Sequence, residues 1–81
     1  MGKLEKLAIN EEGFIFDPET GNSYTVNPTG LFILKCLKEG LSEQEIVGRL
    51  IQEFEVGEEE ARRDLVDFME QLRIYGLLEV K

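Results

Sequence analysis

The chain has 81 residues, 42% of them apolar, and a formal net charge of −8 from nine Lys and Arg against seventeen Asp and Glu. That length makes a single domain with a modest core, and the apolar share is too high for a disordered chain. The acidic field repels phosphate backbones and anionic lipid surfaces, which argues against nucleic acid and membrane as partners and makes a basic peptide segment the more natural guest. The charge is unevenly spread, four cations against six acids over residues 1–40 and five against eleven over residues 41–81.

Residues 3–10 alternate with period two, Leu7 and Ile9 on one side, which predicts a first strand. Asn10-Glu11-Glu12-Gly13 reads as a four-residue turn, and residues 13–17 as a second strand carrying Phe14 and Phe16. That turn length sets Ile9 opposite Phe14 and Leu7 opposite Phe16, giving an aromatic and aliphatic inner face. Asp17-Pro18-Glu19-Thr20-Gly21 closes a second turn before a third strand over residues 22–26. A four-residue loop here would pair Phe14 with Thr25. A five-residue loop, or three residues with a Gly bulge, pairs Phe14 with Tyr24 and keeps both inside; this is the preferred register, with Gly21 absorbing the extra residue.

Asn27-Pro28 is a helix start, with Asn as cap and Pro at the first helical position. The first helix, residues 28–39, is apolar nearly all round and so the most buried. Ser42-x-x-Glu45 is a capping box. It opens a second helix over residues 43–54 with Ile46, Val47, Leu50, Ile51 and Phe54 at helical spacing. Glu58-Glu59-Glu60 then opens a third, residues 58–75, with acids where the macrodipole favours them. Its main stripe is Ala61, Leu65, Phe68 and Leu72. A flanking stripe of Arg62, Val66, Met69 and Arg73 suggests that it also borders something else. Leu77-Leu78-Glu79-Val80 reads as a short apolar tail along the sheet or over the core. The fold class predicted is α+β: a three-stranded antiparallel meander followed by three helices, winged-helix-like, one domain over residues 1–81.

The absence of His removes Ser-His-Asp and Cys-His arrangements, His metal ligands and the usual general base. Cys36 is the only cysteine, so no internal disulfide forms; among apolar neighbours and without a base it reads as a buried, inert thiol. The paired acids are accounted for as solvated faces and helix starts, and neither a calcium loop nor a phosphate-binding glycine motif is present. No catalysis, cofactor or metal is expected. No apolar run approaches the ~20 residues of a membrane span. The first residues lack the apolar core of a signal peptide, and Gly2 is not followed by the Ser or Thr of a myristoylation signal. The expectation is a soluble, cytoplasmic protein.

Three kinds of binding role stay open on these grounds. One is a winged-helix transcriptional regulator, against which stand the Glu-Glu-Glu start of the third helix and the shortage of cations beyond Arg62 and Arg63. Another is a small protein-interaction module. The third is strand addition: the outer edge of the third strand is free in a meander, and an extended peptide could pair with it.

A resemblance bears on the choice. Phe14-Ile15-Phe16-Asp17, the run from Gly21 through Asn27-Pro28-Thr29 to Gly30, Leu41-Ser42-Glu43-Gln44-Glu45-Ile46, Val66-Asp67-Phe68-Met69-Glu70-Gln71-Leu72 and Gly76-Leu77-Leu78 together resemble the PqqD family over nearly the whole chain. The resemblance implies a non-catalytic adaptor for ribosomally made, post-translationally modified peptides. In that family the leader of the precursor lies antiparallel to the third strand, between it and the third helix, and is presented to a modifying enzyme, often a radical S-adenosylmethionine enzyme. Carried onto this chain, the implied peptide-binding residues are Ser23, Tyr24, Thr25 and Val26 on the strand and Arg62, Leu65, Val66, Met69 and Arg73 on the helix. The partners implied are a precursor peptide and its enzyme, with the adaptor itself a monomer or weak dimer.

Overall fold

The computed structural model describes residues 6–77. Three strands, β1 (Ala8–Ile9), β2 (Phe14–Asp17) and β3 (Asn22–Thr25), precede three helices, α1 (Pro28–Lys38), α2 (Glu43–Phe54) and α3 (Glu58–Ile74). The strands form one antiparallel sheet in the order β1-β2-β3, so the fold is the α+β meander-then-helices arrangement. β1 is shorter than the 3–10 span read from the sequence, part of which lies outside the described residues, as does the tail after Leu77.

Both hairpin registers differ by one residue from those expected, and turn chemistry is the reason. Gly13, at φ +98°, donates to the Asn10 carbonyl at 3.0 Å, while the Asn10 N–H donates to Phe14 at 2.8 Å. This closes a three-residue loop with a left-handed glycine in its last position. Ile9 therefore pairs with Ile15, and Ala8 with Phe16. At the second turn Asp17 fixes the length itself. Its carboxylate accepts from the Glu19 N–H at 3.0 Å and the Thr20 hydroxyl at 3.2 Å, and its carbonyl accepts from Gly21 at 2.8 Å. The loop is four residues long and β3 pairs Thr25 with Phe14, Tyr24 with Ile15 and Ser23 with Phe16.

A one-residue slip turns every side chain over. The inner row across the sheet is Ile9, Ile15 and Tyr24, with Ile15 only 1% exposed. Phe14 and Phe16 point outward, 54% and 46% exposed, the reverse of the aromatic inner face that the sequence suggested. Asp17 is buried with its carboxylate engaged by its own turn, which makes its burial tolerable.

The helices cover the inner face. The Asn27 side chain accepts from the Gly30 N–H at 2.7 Å, with Pro28 in the first turn of α1. Ser42 and Glu45 make both bonds of the capping box at 2.8 and 3.2 Å. The core joins Leu7 and Ile15 from the sheet side to Ile33 and Leu34 of α1, Ile46 and Leu50 of α2, and Ala61, Leu65, Phe68 and Leu72 of α3. Burying each large aliphatic side chain contributes roughly 1.5–3 kcal/mol before entropy is counted. Gly30 lets α1 approach α3 closely: a Cβ there would lie 2.8 Å from the Phe68 ring. Leu77, also buried, donates its N–H to the Leu72 carbonyl and turns the chain back after α3.

Candidate functional site

Among the described residues β3 is an edge strand, hydrogen-bonded to β2 alone. The Val26 N–H donates to Gly13 at 2.9 Å. Because hydrogen-bonded and non-bonded pairs alternate along an antiparallel ladder, Tyr24 and Asn22 bond to β2 as Val26 does. Ser23 and Thr25 thus turn their N–H and C=O groups to the open edge. Four backbone groups, two donors and two acceptors, await a further strand there.

Tyr24 ties this edge to the end of α3. Its ring stacks on Tyr75 with centroids 4.6 Å apart, and the Tyr75 hydroxyl accepts from the Gln71 amide at 3.0 Å. Where β3 leads into α1, a cleft of about 180 Å³ opens between the two helices. Asn27, Thr29 and Gly30 line it on one side, and Asp64, Asp67 and Gln71 on the other, with Ile33 and Phe68 also contributing. The tyrosine stack and the cleft lie along one flank of α3, and Tyr24 joins β3 to the end of that helix.

The nine residues implied by the resemblance divide between two places. Ser23 and Thr25 are exposed on the free edge, while Tyr24 and Val26 are half-buried beside it. The helical residues lie elsewhere. Leu65 is 4% exposed and belongs to the core. At about 100° per residue, Arg62, Val66, Met69 and Arg73 sit roughly 180° round the helix from Asp64, Asp67 and Gln71. Met69 packs against the core from that far flank and Val66 is 65% exposed. Arg62 is engaged by Glu58 at 2.8 Å, and Arg73 by Glu70. The structure does not bring this stripe to the cleft. The flank that does reach it, Asp64, Asp67 and Gln71, continued by Tyr75, has no role in the sequence reading. Its spacing of three, four and four was the available signal.

The described residues hold no group of three or more His, Cys, Asp and Glu placed to bind a metal, and no helix among them is long and apolar enough to cross a membrane. Cys36 is buried, and that burial raises its thiol pKa. Arg49 pulls it down and Glu39 pushes it up by smaller amounts.

The family model of coenzyme PQQ synthesis protein D matches residues 12–78. The chain belongs to the PqqD family. Two solved structures share its fold. One is TbiB1 in complex with the TbiA(beta) leader peptide, 29% identical, at a TM-score of 0.80 over 93% of this chain and 88% of that one. The other is lasso peptide synthetase B1 complexed with the leader peptide, 26% identical, at a TM-score of 0.75 over 88% of this chain and 85% of that one. No curated protein matches the sequence. The likeness to PqqD relatives spans sheet and helices alike, so it takes in the β3 edge and the flank of α3 beside it.

Proposed function

We propose that this PqqD-family chain is a non-catalytic adaptor that binds the leader of a precursor peptide and presents it to the enzyme that modifies it. The leader adds to β3 as a fourth, antiparallel strand. The observation that carries the reading is the free β3 edge, whose outward N–H and C=O groups at Ser23 and Thr25 sit beside α3 in a fold shared with two leader-peptide complexes. Strand addition takes affinity from main-chain hydrogen bonds and specificity from alternate side chains. A peptide side chain on the inner face would meet Tyr24, Tyr75 and the cleft. Of the residues implied by the resemblance, Ser23, Tyr24, Thr25 and Val26 are retained as the peptide-binding strand. Asp64, Asp67, Gln71 and Tyr75 replace the far stripe as the opposite wall.

Carboxylates on that wall and a net charge of −8 suit a leader with basic residues. The modifying enzyme would supply the chemistry, of radical S-adenosylmethionine type or another. Titrating the precursor's leader into isotope-labelled protein should shift the amide resonances of Ser23–Val26 together with those of Asp64–Tyr75. Shifts confined to α2, or none at all, would sink the proposal.

A further inference from the structure

Main-chain pairing at the β3 edge holds a peptide of any sequence, so selectivity has to come from where its side chains go. The cleft between α1 and α3 has an apolar floor, the buried Ile33 and Phe68, beneath a polar rim of Asp64, Asp67 and Gln71 facing Asn27 and Thr29. Neither aspartate side chain has an ion pair or a hydrogen bond among the described residues. The cations of the neighbouring helices are engaged elsewhere: Lys35 by Glu11, Arg49 by Glu39, Arg62 by Glu58 and Arg73 by Glu70. Arg63 lies one turn before Asp67 without pairing to it, and no Lys or Arg lines the cleft. The Gln71 amide N–H donates to the Tyr75 hydroxyl, which leaves its carbonyl oxygen as a third acceptor without a partner among the described residues.

We propose that this cleft is a specificity subsite for one arginine side chain of the bound leader, an inference that rests on the adaptor reading above and gives it a sequence preference. An arginine lays its methylene stem on apolar surface and keeps its charged head at a polar rim, the division that Ile33 and Phe68 make with the aspartates above them. Its guanidinium offers five donors in a planar fork and no acceptor, which complements two carboxylates and a carbonyl. Lysine matches the sign of that rim without the fork. Asp64 and Asp67 also stand three residues apart on one helix, where like charges repel, and a cation between them relieves the repulsion. Strand geometry sets the position. Tyr24 and Val26 are the inner-face residues of the β3 edge, one against the Tyr75 ring and the other leading into Asn27 at the cleft. In an antiparallel leader strand the residue opposite Val26 comes two before the residue opposite Tyr24, and both turn their side chains inward. The arginine therefore belongs opposite Val26, two residues ahead of the side chain that meets the tyrosine stack.

The test selects ligands for the full chain from a displayed library of random linear peptides. Captured peptides should carry arginine at one fixed position. Replacing that arginine by alanine in a captured peptide should weaken binding about three- to tenfold, the range between an exposed ion pair and charge-assisted hydrogen bonds at a partly buried one. Lysine there should weaken it less. With Asp64→Asn, Asp67→Asn, shown to fold by thermal melting, the arginine and alanine peptides should bind within about twofold of each other. Glu53→Gln with Glu59→Gln removes the same two charges from exposed positions away from the cleft and should keep the preference. An undiminished preference in the asparagine variant overturns the proposal. So does its loss in the glutamine variant, which would assign it to the net charge of the chain. Captured peptides that are lost with Thr25→Pro but carry no preferred arginine overturn the subsite and leave strand addition standing. A library that yields no ligand, or peptides that bind Thr25→Pro as tightly as the parent, overturns the adaptor reading and the subsite with it.

Discussion

Gly13 carries more of the architecture than its size suggests. It closes the first hairpin with a positive φ, and a Cβ built there would lie 2.6 Å from the Val26 carbonyl oxygen, so both conformation and space exclude a side chain. Gly13→Ala should cost about 1–3 kcal/mol and lower the melting temperature accordingly, since strain of that order attends a non-glycine residue held at positive φ. Cys36 offers a second check at this scale. Its burial and raised pKa both suppress the thiolate, so alkylation by iodoacetamide at pH 8 should be slow in the native protein and rapid in denaturant. The sequence conveyed that thiol's setting through its apolar neighbours. It did not convey the burial of Asp17, because a turn-forming Asp looks the same whether its carboxylate ends in solvent or under the turn it closes.

The helices were legible because their signals are local: apolar spacing of three and four, Pro28 after Asn27, and the Ser42–Glu45 box. Strand registers were not. They depend on loop length to the residue, and the side chains of Asn10 and Asp17 decided that length against the wish to bury Phe14 and Phe16. The capping box has a pH signature. Hydrogen bonds from the Ser42 backbone N–H, and then the Ser42 hydroxyl, hold the Glu45 carboxyl below its usual range. A depressed folded-state pKa means that the ionised cap stabilises α2 above the unfolded value of about 4.3, and that this contribution fades as pH falls through the folded value. The melting-temperature gap between parent and Glu45→Ala should accordingly be constant from pH 5 to 7 and narrow at lower pH. Where α1 meets α3, Gly30→Ala sets two effects against each other. The gain in helix propensity is about 1 kcal/mol. Overpacking against the Phe68 ring, 2.8 Å from the new methyl and itself buried, costs about 1–3 kcal/mol. Clash should win, and thermal melts should show a net loss in stability.

For the molecule as a whole, the proposed function turns on which backbone groups face outward, and proline tests that directly. Counting strands in a meander was enough to suggest a free third-strand edge. Choosing the wall now proposed was not, because which flank of α3 lines the cleft is set by tertiary packing and the polar residues on that flank resemble ordinary surface. In the ladder, the Tyr24 N–H serves β2 while the Thr25 N–H faces the open edge. Proline is tolerated on an edge strand where the missing N–H points away from the sheet. Thr25→Pro should therefore leave the melting temperature close to that of the parent. It should also weaken leader binding by about tenfold or more, since one main-chain bond is worth about 0.5–1.5 kcal/mol and the ring also obstructs an incoming strand. Tyr24→Pro should do the opposite first: it removes a bond to β2 and the protein melts earlier. Calorimetric titration of leader into the two variants, alongside their melting curves, separates the cases. A Thr25→Pro protein that folds normally and binds leader as tightly as the parent would show that the peptide does not pair with this edge.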